Sequence, residues 1–300
     1  MKIIVTHSAP DLDAITSVWL IKRFLQNWSD AVVKFVPAGT RLPNSKYQIE
    51  NSKNPIEISG EDEVIHVDTG LGPLDHHQTL SDKVCAASLT WDYVRQKGQM
   101  FENEQSSGKI QDREEAISRM INVVVEDDHF KQVFYPNPTD DYYEFMLTDI
   151  LDGLKLQKPN QDELYVSFVS ECLDAILHNF ENKIWAEQEI KENGKKFESP
   201  WGKAIGFATI NDDVIKLSQK MGYAIVVRKD PRKGYVRIKA SPASSVDLTS
   251  VYEQLKKMDP EATWFLHVGK KMLLNGTPKN PKMIPTKLSL DAIISVLKKS

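Results

Sequence analysis

Two apolar, strand-like segments near the N-terminus each close on a side chain that can bind a metal, and that pairing narrows the folds open to the chain. Lys2–Val5 leads into a loop that begins with Thr6 and His7, and Glu63–Val67 runs directly into Asp68. Between them an apolar helical pattern passes through Ile15, Val18, Trp19, Phe24 and Leu25, and Ala31–Val36 reads as another strand. Strands alternating with helices predict an α/β fold with a mainly parallel sheet flanked by helices. Ligand sites in such sheets lie beyond the carboxyl ends of the strands. His7 and Asp68 are therefore expected at one edge of one sheet.

Further along, Ala86 to about Gln96 reads as a helix. A charged helical stretch from Ile110 leads through Met120–Val125 into Glu126-Asp127-Asp128-His129, and Pro136–Asp141 reads as a loop. A long amphipathic helix is expected from about Gln161 to Ile190, with Leu164, Phe168, Cys172, Ile176, Phe180 and Ile184 as its apolar stripe. Lys191–Pro200 has the composition of a linker. Beyond it, strands are expected over Ala204–Thr209, Ala224–Arg228 and Tyr235–Ala240, a hairpin or strand over 263–274, and helices over Asp213–Met221, Leu248–Met258 and Ser289–Lys299. The expected organisation is thus residues 1–190 as one domain with its connecting helix and 191–300 as a smaller C-terminal α/β domain.

Charge divides along the same line. Residues 201–300 hold 18 Lys and Arg against 8 Asp and Glu, whereas the first 200 hold 20 against 34. A basic half beside an acidic half that carries metal ligands suits an anionic, phosphate-containing substrate. No apolar run approaches the roughly 20 residues that span a bilayer, and the start reads as a strand rather than a signal peptide, so no membrane association is expected. Two cysteines, Cys85 and Cys172, make no disulfide framework; both read as buried thiols, and a cytoplasmic location is expected.

The chemistry concentrates in His7-x3-Asp11-x-Asp13, Asp68 and Asp75-His76-His77-Gln78. One metal could take His7 and Asp11, leaving Asp13 for a second, with Asp68 arriving from the neighbouring strand to bridge them. Adjacent histidines point in different directions, so only one of His76 and His77 is expected on a metal. Such a mixture of imidazole and carboxylate suits two divalent ions, manganese above all, with magnesium, cobalt, iron or zinc as alternatives. Two bridged ions form a standard device for hydrolysing phosphoesters. No Ser/His/Asp or Cys/His nucleophile pattern competes, and Gly70 and Gly72 do not make a dinucleotide fingerprint.

In order and type, His7-x3-Asp11-x-Asp13, then Val67-Asp68, then Asp75-His76-His77 resembles motifs I to III of the DHH phosphoesterase superfamily. Within it, Asp75-His76-His77-Gln78 and the later Trp264-Phe-Leu-His267-Val-Gly269 are nearest in texture to the melanocyte-proliferating-gene type of exonuclease. The resemblance implies a DHH-type catalytic domain whose fourth motif supplies Asp128, with Asp127 as the alternative. It implies His7, Asp11 and Asp68 on one ion and Asp13, Asp68, His76 and Asp128 on the other. His77 would face the scissile phosphate, with Asp75 orienting a histidine from behind. The implied activity is metal-dependent hydrolysis of a phosphodiester, such as a short single-stranded oligonucleotide. The alternatives are a pyrophosphatase or phosphomonoesterase, and a non-catalytic regulator on the same fold.

Substrate contacts are expected in the basic half. His267 precedes Gly269-Lys270-Lys271, where a phosphate contact would be useful, and Arg228 and Arg232 belong to a basic hairpin with Lys229, Lys233, Arg237 and Lys239. Tyr223 and Tyr235 are the few aromatics interleaved there, and Trp201 and Trp264 read as core. Among the other histidines, His66 reads as interior, His129 as either a neighbour of the site or surface, and His178 as solvent-facing.

Overall fold

The computed structural model describes residues 1–47, 54–97, 107–276, 280 and 282–300. These form two compact units, Met1–Phe180 and Glu181–Ser300, each an α/β arrangement with a mixed sheet.

The first unit is built on β1 (Lys2–His7), whose central residues Ile3–Thr6 are all buried. It is followed by α1 (Leu12–Phe24), capped by the Asp11 carboxylate, which accepts the Ala14 N–H at 3.0 Å. Every residue of α1 from Leu12 to Ile21 is buried, so this helix is apolar on most of its circumference and sits inside the unit rather than on its surface. β2 (Val32–Val36), β3 (Lys46–Tyr47), β4 (Ile56–Ser59) and β5 (Asp62–His66) complete a sheet of order β2-β1-β5-β4-β3. β1 pairs in parallel with β2 and β5, while β4 pairs antiparallel with both neighbours. The sheet is therefore mixed rather than mainly parallel. The reason is local: only Gly60 and Glu61 separate β4 from β5, and so short a link permits only an antiparallel hairpin.

α2 (Ala86–Gln96), α3 (Ser107–Asp128) and α4 (Leu147–Gln157) follow, with α2 and α3 packing on α1. α3 is one continuous helix that carries the acidic run at its end. α5 (Asp162–Glu192) spans the extent read from the sequence, but its buried face differs. Tyr165, Val166, Val169, Leu173 and Leu177 are buried, whereas Phe168 is exposed and Leu164, Cys172 and Ile176 are half-buried. Residues spaced strictly four apart advance about 40° per step around a 3.6-residue helix, so the stripe read from the sequence drifts off the buried face.

The last turns of α5 belong to the second unit, where Ala186 and Ile190 pack with Ile205, Phe207, Val214 and Ile215. This places the division ten residues before the boundary read from composition. The expected linker is also structured: β6 (Lys195–Ser199) pairs antiparallel with β7 (Gly202–Ala208) and buries Phe197. Polar residues on the exposed side of an edge strand give the composition of a linker. α6 (Asp213–Lys220) connects β7 to β8 (Ile225–Lys229), a parallel pair. β9 (Val236–Ala240), α7 (Thr249–Met258), β10 (Trp264–Leu266), β11 (Met272–Asn275) and α8 (Leu290–Leu297) complete the unit. The sheet order is β10-β11-β9-β8-β7-β6, and α7 and α8 cover the face opposite α6. Burial on both faces explains the unbroken apolar run of β7 and β8. No helix among the described residues is long and apolar enough to cross a membrane.

Candidate metal centre

The parallel pairing of β1 with β5 brings His7 and Asp68 together at the carboxyl edge of the first sheet, because Val5 is in register with His66 and the Val67 N–H donates to the Val5 carbonyl. Asp68 stands just past β5 with φ +52°, a left-handed conformation that is uncommon outside glycine and is found preferentially at functional sites. Its carboxylate faces two histidines. Oδ2 lies 3.2 Å from His7 Nε2, and Oδ1 lies 3.5 Å from His76 Nε2.

On the His7 side, Asp11 brings Oδ2 to 3.7 Å from the same Nε2 while its Oδ1 caps α1. His7 Nδ1 is 3.0 Å from the Ser8 carbonyl, which fixes the ring and leaves Nε2 for a ligand. On the His76 side, Nε2 lies 3.7 Å from both Asp13 Oδ2 and Asp128 Oδ2. Asp13 is held from below, its two oxygens accepting the N–H groups of Ala86 and Ala87 at 2.7 Å each, so the first turn of α2 anchors it. Asp128 faces this cluster. Asp127 instead accepts from the Thr148 hydroxyl at 2.8 Å, which separates the two aspartates that the sequence left open.

Three of these atoms are buried and lack a hydrogen-bond partner: Asp68 Oδ1, His76 Nε2 and Asp128 Oδ2. Buried polar atoms are almost always satisfied, and His76 Nε2, 3.5 Å from Asp68 Oδ1 and 3.7 Å from Asp128 Oδ2, stands between two other orphans that also want a partner. Acceptor oxygens around an imidazole nitrogen, with Asp13 alongside, fit a divalent cation. His7, Asp11 and Asp68 form a second group whose donor atoms lie within 4.8 Å of one another.

The charges agree with a site built to be neutralised. Burial works against the charge on His7, yet the hydrogen bond to Asp68 and the charge of Asp11 outweigh it and raise its pKa to about 9. The Asp68 carboxylate beside His76 raises that imidazole to about 9 against the effect of burial, with help from Asp128 and Asp13. Burial and the neighbouring Asp68 hold the Asp13 carboxyl well above the usual range, and burial also raises Asp128 and Asp127. Burial pushes Asp68 the same way, but the hydrogen bond to His7 and the nearby imidazole of His76 prevail and lower it.

His77 borders the cluster, its Nδ1 lying 3.6 Å from Asp68 Oδ1, and it has a support of its own. Its Nδ1 is 2.8 Å from Asp75 Oδ1, and the buried Asp75 also accepts the N–H groups of His77 at 3.0 Å and Leu71 at 2.7 Å. The ring is half exposed with its Nε2 directed away from this anchor. His129 donates its Nε2–H to the Val84 carbonyl at 3.0 Å and borders the Asp128 side. Cys85, whose thiol burial pushes up, sits at the head of α2 beside Asp13.

A buried support beneath Asp68 was not visible in the sequence. Glu57 joins Arg41 and His66, His66 accepts the Leu42 N–H at 2.9 Å, and Arg41 donates to the Gly70 carbonyl at 2.8 Å. Gly70 has φ +78°, and a Cβ there would come within 2.7 Å of Arg41 Cγ, so only glycine fits the loop that leads from Asp68 to Asp75.

The cations expected to touch substrate in the second unit are mostly committed to it. Arg228 is buried, donating to the Thr209 carbonyl at 2.9 Å with Nε 2.6 Å from Asp212, so it is a strut rather than a surface phosphate ligand. Lys270 pairs with Asp247, and Lys271 donates to the Pro242 and Ser244 carbonyls. Arg232 is exposed. His267 opens the exposed turn between β10 and β11, its Nδ1 accepting the Gly269 N–H at 3.1 Å. His178 is exposed on α5.

No protein-family model matches the chain, and no curated protein does. Among solved structures, the chain is similar to the crystal structure of an uncharacterized protein from Helicobacter pylori G27. That likeness covers 100% of this chain and 98% of the other at 12% identity, with a TM-score of 0.24, and it carries no argument about fold or function.

Proposed function

We propose that the chain is a metal-dependent phosphoesterase of the DHH type, hydrolysing a phosphodiester at a dinuclear centre. The reading is carried by the three orphaned atoms, Asp68 Oδ1 and Asp128 Oδ2 lying 3.5 and 3.7 Å from His76 Nε2, with Asp68 shared by the His7 group. Two divalent ions, manganese by preference, would supply water activation at neutral pH and neutralisation of the phosphoryl charge.

The chain's own residues do the rest. His7, Asp11 and Asp68 would hold one ion, and Asp13, Asp68, His76 and Asp128 would hold the other. Asp75 receives the Nδ1 proton of His77 in a hydrogen bond and so presents Nε2 outward. Protonated at both nitrogens, a histidine oriented in this way can hold a phosphate oxygen through Nε2–H and pass that proton to the departing alcohol, keeping its Nδ1–H on Asp75. The motif resemblance and the basic second unit favour an oligonucleotide or nucleotide-type ester.

The test is a manganese-supported screen across a short oligonucleotide, a chromogenic phosphodiester and pyrophosphate. Hydrolysis of the diesters, lost in Asp128→Asn, is the expected result. Hydrolysis of pyrophosphate alone would transfer the site to a pyrophosphatase. Metal binding without any turnover would leave a regulator.

A further inference from the structure

The segment that follows Asp128 is aromatic and faces solvent. Phe130 is 72% and Phe134 84% exposed, and Tyr142 and Phe145 are exposed as well. Monomeric proteins seldom display so many large apolar side chains together without a use for them. The segment is firmly held. Phe130 takes φ +54°, an unusual conformation for a bulky residue, and Lys131–Phe134 forms a 3-10 turn. The Tyr135 hydroxyl donates to Glu126 at 2.5 Å, and the Tyr142 and Tyr143 hydroxyls donate to the Pro136 carbonyl at 2.9 and 2.7 Å. Their rings lie 4.3 Å apart.

The segment follows directly on the metal centre in the chain. It begins two residues after Asp128, and Lys131 bridges to Asp82 at 3.2 Å in the loop beyond His77, where Leu80 is fully exposed. The charge of the segment indicates which part of a ligand it takes. From Phe130 to Met146 there is one lysine, already paired with Asp82, against Asp140, Asp141 and Glu144. A net negative rim repels a phosphate backbone and an anionic membrane alike, so what it receives is flat and uncharged.

We infer that the aromatic segment Phe130–Phe145 is a stacking platform for a nucleobase, so that the ester hydrolysed beside it is a nucleotide one. This rests on the proposed phosphoesterase reading and specifies its substrate. The phosphate lies over the acid and histidine cluster, and the neighbouring base stacks on Phe130 and Phe134.

The test compares the full chain, loaded with manganese, on a short oligoadenylate and on the same backbone with abasic sites. The wild type should prefer the base-bearing substrate in kcat/KM, and the F130A/F134A double variant should lose about five- to a hundredfold of that preference, the factor removed when a stacking aromatic becomes alanine. F134W should retain it. Both side chains are exposed, so the substitutions leave the core intact. An unchanged preference in the double variant would overturn the platform. If the wild type hydrolyses neither substrate, the phosphoesterase reading fails, and fluorescence anisotropy of labelled oligoadenylate then decides the platform separately: weaker binding by F130A/F134A sustains it, equal or absent binding ends it. A wild-type dimer that F130A/F134A converts to monomer, with base preference unaltered, would make the patch an interface between copies and would also overturn the inference.

Discussion

Asp68 reaches His7 Nε2 at 3.2 Å through one carboxylate oxygen while its backbone sits at φ +52° and its other oxygen is left for His76. One strained residue at the end of a strand thus joins two ligand groups that lie far apart in the chain. Its replacement should separate loss of metal from loss of fold, because asparagine tolerates the left-handed conformation.

The two histidines give the metal-free protein a distinctive pH profile. Histidine in an unfolded chain titrates near 6.5, below the folded value of about 9 for His7 and His76. The stability they contribute is complete below about pH 6.5 and is lost as the pH rises through 9. Urea midpoints of the metal-free protein should fall across that window. Manganese requires the neutral rings, so its affinity should rise over the same range, and calorimetry at pH 7 in two buffers of different ionisation enthalpy should detect protons released on binding. Proton-free binding would contradict these assignments.

Asp75 acts through His77. In Asp75→Ala the Leu71 and His77 N–H groups and the His77 ring lose their shared acceptor, so the ring loses its anchor. Turnover should fall about 10- to 100-fold, the usual cost of losing such an orienting partner, with two metals still bound. Steady-state kinetics paired with metal analysis checks this. A variant that loses its metals but turns over normally per bound ion would place Asp75 elsewhere.

Asp127 and Asp128 should behave differently despite their adjacency. Asp128→Asn should lower manganese affinity and abolish turnover, since its Oδ2 is one of the orphaned atoms. Asp127→Asn should keep both within a few-fold, because an asparagine oxygen can still accept from Thr148. Isothermal titration with manganese distinguishes the pair.

Glu57 supports the site from within the fold. Glu57→Ala would leave Arg41 and His66 without their shared carboxylate, and removing one member of a buried ionic group costs about 3–5 kcal/mol. Arg41 keeps 30% of its side-chain exposure, so the low end of that range is expected in urea unfolding, together with weaker manganese binding as the Gly70 loop relaxes. A stability change under about 0.5 kcal/mol, typical of a surface position, would remove Glu57 from this role.

What the sequence disclosed, and what it withheld, follows from the range of the interactions. His7 and Asp68 were legible because strand periodicity and the carboxyl-edge rule fix where a strand ends, whatever its neighbours. The helices of the second unit were legible for the same local reason. The antiparallel β4–β5 hairpin turned on a two-residue link, and β6 on the burial of a single phenylalanine, Phe197. Arg228 looked like a phosphate ligand because its partner Asp212 comes from a different element, and no spacing rule pairs them. The Arg41–Glu57–His66 support was hidden likewise, because the β4–β5 pairing brings Glu57 to His66 and a loop brings Arg41 to the same carboxylate.

The central claim is that Asp68 unites two metal positions. The most direct measurement is metal content per chain after manganese loading and gel filtration, for the wild type and Asp68→Asn. The expected result is two ions in the wild type and fewer than one in the variant, with the circular dichroism of the metal-free forms superimposable. A wild-type chain that binds no manganese, or an Asp68→Asn chain that binds two, would contradict it.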